Sequence, residues 1–90
     1  MNVIGTNTWE ADTNKEMVKK MSLVFADGVK AQGIARLLNA WISPNKNKLW
    51  CSWETDNLGD LKAAFVELNK QAGMKSVLEV YENYTPKYSL

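Results

Sequence analysis

The sequence predicts a small α+β domain of order βαββαβ. Three observations carry this: β-branched and aromatic runs at 2–10, 34–43, 49–55 and 76–84, two helical periodicities between them, and a length of 90 residues. A chain this short cannot divide its apolar residues between two cores, so residues 1–90 are read as one domain. At 46% hydrophobic and 23% charged it falls within the ordinary globular range.

Strand β1 is expected over 2–10, where Val3, Ile4, Thr6, Thr8 and Trp9 favour extended backbone before the polar Asp12-Thr13-Asn14. Thr13 and Glu16 have capping-box spacing, which starts helix α1 there. Along α1 an apolar stripe of Met17, Met21, Val24, Phe25 and Val29 opposes Lys15, Lys19 and Lys20, and Gly33 suits a left-handed C-cap. Gly28 is its weak point, costing roughly 1 kcal/mol against alanine.

The runs 34–43 (β2) and 49–55 (β3) flank Pro44-Asn45-Lys46-Asn47-Lys48, whose proline and asparagines suit a hairpin loop. Asp56 or Asn57 can cap helix α2, in which Leu58, Leu61, Phe65, Leu68 and Ala72 step by three and four before Gly73. Strand β4 is expected over 76–84, ended by Pro86. This order is the ferredoxin-like split βαβ arrangement, a four-stranded antiparallel sheet with both helices on one face.

Strand alternation then sorts the sheet residues by face. Leu38, Ala40, Ile42, Leu49, Cys51, Trp53, Leu78 and Val80 are placed beneath the helices. The bare face receives Leu37, Asn39, Trp41, Trp50, Ser52, Glu54, Val77, Glu79 and Tyr81. That second set is too apolar for comfortable exposure and too polar for a simple core, which suits a homodimer formed through the sheet face around a polar pocket. A bulge in any strand would exchange its two sets.

Composition excludes several function classes. There is no histidine and only one cysteine, so the usual zinc, copper and non-haem iron ligand sets and any internal disulfide are out of reach; neither metal nor cofactor is expected. The eleven basic and ten acidic residues give a net charge of +1 with no long block of either sign, which leaves no footprint for nucleic acid or an anionic membrane. The start of the chain has no basic region followed by a signal-length apolar run, and no membrane-length apolar stretch occurs, so a cytoplasmic location is expected. No glycine-rich phosphate loop or nucleophile elbow is present. An RNA-recognition motif would need aromatics alternating on one face of β3, whereas Trp50 and Trp53 fall on opposite faces, and an acylphosphatase would need an arginine-bearing loop where Glu10-Ala11-Asp12 stands.

What remains is candidate chemistry on the bare face. Glu54 and Glu79 could work as an acid–base pair if β3 and β4 bring them close in the sheet, and Trp9, Trp41, Trp50, Trp53 and Tyr81 could stack on a flat ligand. Asn7, Asn39, Trp41, Trp50, Glu54, Glu79 and Tyr81 make the candidate ligand-binding set, weighed against plain interface packing. Cys51 has no histidine to activate it and lies in an apolar strand, which makes it a core residue.

The chain resembles the dimeric α+β barrel superfamily, which includes the antibiotic-biosynthesis monooxygenases, stress-responsive barrel proteins and small families of unknown function. The resemblance rests on Thr8-Trp9-Glu10, on a helix reaching Gly28-Val29, and on Lys48-Leu49-Trp50-Cys51-Ser52-Trp53-Glu54-Thr55-Asp56. It implies the barrel architecture and dimerisation. One such family is associated with metal through histidines that this sequence lacks, and no monooxygenase motif is matched, so no catalytic residue carries over.

The functional expectation is a homodimer that holds a small organic molecule in a pocket next to the sheet, with no reaction assigned. The alternative is a cofactor-free monooxygenase or isomerase acting on an aromatic or polyketide-like compound. An enzyme should show a closed pocket of roughly 300–1,000 Å³ containing a pKa-shifted carboxyl, and a plain interaction domain should show that space filled by side chains.

Overall fold

The computed structural model describes residues 1–10 and 12–82. The elements follow the expected order: β1 (Asn2–Trp9), α1 (Lys15–Ala31), β2 (Arg36–Ile42), β3 (Lys48–Glu54), α2 (Leu58–Ala72) and β4 (Met74–Tyr81). One antiparallel sheet has the strand order β2-β3-β1-β4, which puts β1 in the middle and β2 and β4 at the edges. The expectations for Tyr84 and Pro86 lie outside the described residues.

Both helices lie on one face and bury their stripes against β1 and β3. Phe25 of α1, Trp53 of β3 and Phe65 of α2 meet as an aromatic triad, with ring centroids 4.7–5.8 Å apart and Trp53 met edge-on by both phenylalanines. Such pairs add roughly 0.5–1.5 kcal/mol each beyond the area they bury. Around them Val3, Val18, Leu49, Cys51 and Leu61 complete the core.

Three local expectations are corrected. The cap of α1 is Asn14, whose side chain accepts from the Glu16 N–H, rather than Thr13. The buried stripe of α1 runs through Val18, Met21, Phe25, Ala26 and Val29, and it leaves Met17 and Val24 at 58% and 72% exposure. The small residue Ala26 hides this stripe from a reading that weighs large side chains. In β2 a bulge between Leu37 and Asn39 reverses the alternation, so that Leu37 packs against the core and Leu38 is exposed.

Elsewhere the faces are as expected: Leu49, Cys51 and Trp53 lie beneath the helices, Leu78 packs against the same core, and Trp41 and Trp50 pair across strands on the bare face. Val80 alternates onto the helix side, yet it stays 55% exposed on the edge strand. The helix ends also obey their sequence signals. Asn57 caps α2 by accepting from Asp60 N, and Gly33 and Gly73 adopt φ of 70° and 64°, the left-handed region open to glycine.

Candidate functional site

The strand register arranges the bare face in rows across β2, β3, β1 and β4. One row is Arg36, Glu54, Asn2, Tyr81; the next is Asn39, Ser52, Ile4, Glu79; the third is Trp41, Trp50, Thr6, Val77. Six of the seven candidate residues, Asn39, Trp41, Trp50, Glu54, Glu79 and Tyr81, therefore share this face. Glu54 and Glu79 do not meet as a pair, because β1 separates their strands by roughly 10 Å in all. Glu54 instead pairs with Arg36 at 3.3 Å. Tyr81 reaches across β1 to Ser52, with the two hydroxyl oxygens 2.6 Å apart. The ammonium of Lys48 stands 5.3 Å above the Trp50 ring, and the Asn39 carboxamide accepts from the next backbone N–H. Arg36 and Glu54, at one end of this face, also line a hollow of about 200 Å³ with Lys30, Thr55 and Asp56, and two further hollows lie on the helix side of the sheet and between the helices.

Asn7 belongs to the opposite face. It alternates with Gly5 and Trp9 toward the helices and is 1% exposed. Its Nδ2 donates to the Leu49 carbonyl at 3.0 Å and, weakly, to Cys51 Sγ at 3.7 Å. Its Oδ1 accepts from Ser76 Oγ at 2.5 Å, and Ser76 also lies 3.2 Å from the Asn69 amide of α2. The atom of Asn69 that faces Ser76 Oγ is Oδ1, and a hydroxyl has one hydrogen to give, so Ser76 donates to one of the two carboxamide oxygens at a time, Asn7 Oδ1 being the nearer. The result is a polar relay from β1 through β4 to α2, set in an otherwise apolar interior.

Beside this relay lies an interior cavity of about 50 Å³. Its wall includes Asn7, Cys51, Trp53, Phe25, Phe65 and Met74, together with the exposed Leu23 of α1 and Ala40 of β2. No Asp, Glu, Lys or Arg lines it. Cys51 is its only titratable group, and burial pushes the thiol up to about 11, the Asn7 contact acting the other way; it is neutral at ordinary pH.

Trp53 is 1% exposed, and its Nε1–H has no hydrogen-bond partner among the described residues. An orphaned buried donor costs about 1–3 kcal/mol, which a fold rarely tolerates without a reason. Its place is informative. Trp53 Nε1 and Asn7 Nδ2 lie 3.8 and 3.9 Å from the point where a Cβ on Gly5 would stand, and Leu78 Cδ2 lies nearer still, at 3.0 Å, so the Leu78 side chain fills the space that glycine leaves between the two N–H groups. Trp9 Nε1 is likewise buried and unpartnered.

The arrangement can accept a neutral molecule with one hydrogen-bond acceptor. The cavity, at about 50 Å³, has no Asp, Glu, Lys or Arg among its described lining residues to transfer a proton at ordinary pH. Asn7 lies on the opposite face of the sheet from the other six candidate residues. Trp53, Cys51 and Ser76 join it only through the pairing register, Gly5 opposite Cys51 and Asn7 opposite both Leu49 and Ser76.

Among solved structures, the chain is similar to a Deinococcus radiodurans protein provisionally assigned as an antibiotic biosynthesis monooxygenase. That match has 12% identity and a TM-score of 0.59 and covers 99% of this chain and all of the other. It is also similar to an uncharacterised NIPSNAP domain protein from Burkholderia xenovorans, at 18% identity and a TM-score of 0.52, over 97% of this chain and all of the other. No family model matches the chain, and no curated protein does. The shared property is the fold: this chain has the ferredoxin-like α+β architecture of those two proteins along nearly its whole described length.

Proposed function

We propose that this domain binds a small, neutral, largely apolar molecule carrying one hydrogen-bond acceptor, in the cavity between the helices and the sheet. The observation that carries this reading is the Trp53 Nε1–H, unpartnered among the described residues, on a side chain that lines the cavity with Asn7 and with no charged residue among the described lining. A ligand carbonyl would satisfy the indole donor. It would also compete for the Asn7 N–H now spent on a thiol sulfur at 3.7 Å, a weak acceptor. A carboxylate or phosphate would enter without a cation to meet it and would pay the full cost of desolvation.

The second part of the reading concerns assembly. Trp41 and Val77, 47% and 59% exposed, occupy one row of the bare face with Trp50 and Thr6, and no described element covers that row. A second copy laid sheet to sheet would cover it. Dimerisation thus uses the face opposite to the cavity, and Glu54, Glu79 and Tyr81 become interface residues rather than ligand contacts.

The test is an NMR titration with 2-butanone, following the indole N–H of Trp53, whose resonance is identified by its loss in Trp53→Phe. A saturable downfield shift confined to Trp53 and its neighbours supports the reading. An unchanged Trp53 resonance up to the solubility limit of the ketone refutes it.

A further inference from the structure

A second hollow lies on the outer side of the helix layer. Between α1 and α2 runs an open groove of about 600 Å³, within the size range of small-molecule sites. Its lining mixes the apolar Val24, Val29, Ala64 and Ala72 with polar side chains such as Lys20 and Glu67, and Val24 is 72% exposed. Gly28 lies in it and has no atom within 4 Å of where its Cβ would stand. A glycine in the middle of an exposed helix is costly, and the packing of this chain supplies no compensation. What the missing side chain provides is clear space along the groove.

Groove and interior cavity are separated by a single layer of side chains. Met21, Phe25 and Leu68 line both hollows, and all three are only half-buried. Methionine has three rotatable bonds and fills irregular gaps at little energetic cost, so the partition is thin and adaptable. Phe25, which lines both hollows, stands T-shaped against Trp53, the residue that carries the donor unpartnered among the described residues, with the ring centroids 5.8 Å apart.

We infer that the two hollows are the halves of one elongated site, which takes an unbranched apolar chain bearing a neutral carbonyl head. The head lies at Trp53 and Asn7, and the chain passes between Met21, Phe25 and Leu68 into the groove beside Gly28. This rests on the reading of the cavity given above and adds the ligand's shape to it. A cavity of about 50 Å³ holds only a short molecule, so any gain from a longer one has to come from the groove.

The experiment compares 2-butanone with 2-nonanone in the same Trp53-detected titration, on the wild type, Gly28→Phe and Val24→Trp. Burying a methylene is worth two- to about fourfold in affinity, so five additional methylenes should tighten binding by at least about thirtyfold in the wild type. In Gly28→Phe and Val24→Trp, both checked for an unchanged fold by thermal unfolding, the ratio between the two ketones should fall below about threefold. Equal affinity of the two ketones for the wild type, or a ratio that survives both substitutions, overturns the elongated site and leaves the cavity reading standing. No Trp53 shift with 2-butanone overturns both. Self-association that Gly28→Phe abolishes, without a chain-length effect, assigns the groove to a second copy of the chain and also overturns the inference.

Discussion

Asn7→Ala should be among the most damaging single substitutions in the sheet. The change removes a side chain that is 1% exposed, its bond to the Leu49 carbonyl at 3.0 Å, and its bond from Ser76 at 2.5 Å. Each neutral hydrogen bond contributes about 0.5–1.5 kcal/mol, and the void left beside an existing cavity adds a further term, for a loss of roughly 2–4 kcal/mol. In a domain of this size that lowers Tm by roughly 10–25 °C. Urea denaturation with a matched thermal scan measures it, and a double-mutant cycle with Ser76→Ala isolates the relay, with an expected coupling of about 0.5–2 kcal/mol. A loss below about 0.5 kcal/mol, or additive effects in the cycle, would refute the claim that the relay ties β1 to β4 and α2.

Three further outcomes follow from the same structure. The Cys51 thiol is raised from 9.0 to about 11 by burial, so the native state keeps a proton that the unfolded chain loses; the contribution is complete below about pH 9 and disappears as pH rises toward 11. Wild type should lose about 1–3 kcal/mol more than Cys51→Ala between pH 8 and 11, read from denaturation curves of both proteins. Gly28→Ala, with open space around the new Cβ in an exposed helix, should raise stability by about 0.5–1 kcal/mol, and a destabilised variant in the same assay would show that something packs there. Trp41→Glu places a charge in the row shared with Trp50 and Val77, and by light scattering after size exclusion it should convert a dimer to a folded monomer; an unchanged mass would remove the bare face as the interface.

The sequence by itself determined the elements, their order and most of the faces, because these rest on short-range physics. Leu58, Leu61, Phe65 and Leu68 recur at helical spacing whatever surrounds them, and Asn57 and Gly73 are the residue types that close helix ends. Alternation likewise placed Leu49, Cys51 and Trp53 under the helices. What only the tertiary structure decided was phase and company. The bulge at Leu38 depends on how β2 must lie against β3, and an extra residue in a strand leaves no compositional mark. The true stripe of α1 includes the small Ala26, whose burial follows from close packing rather than from its own hydrophobicity. The separation of Glu54 from Glu79, and the meeting of Asn7 with Cys51, Trp53 and Ser76, follow from β1 lying between β3 and β4. The absence of histidine was legible at once and narrows the chemistry; the unpartnered Trp53 donor that directs it required a register, since a lone N–H is defined by everything that fails to reach it.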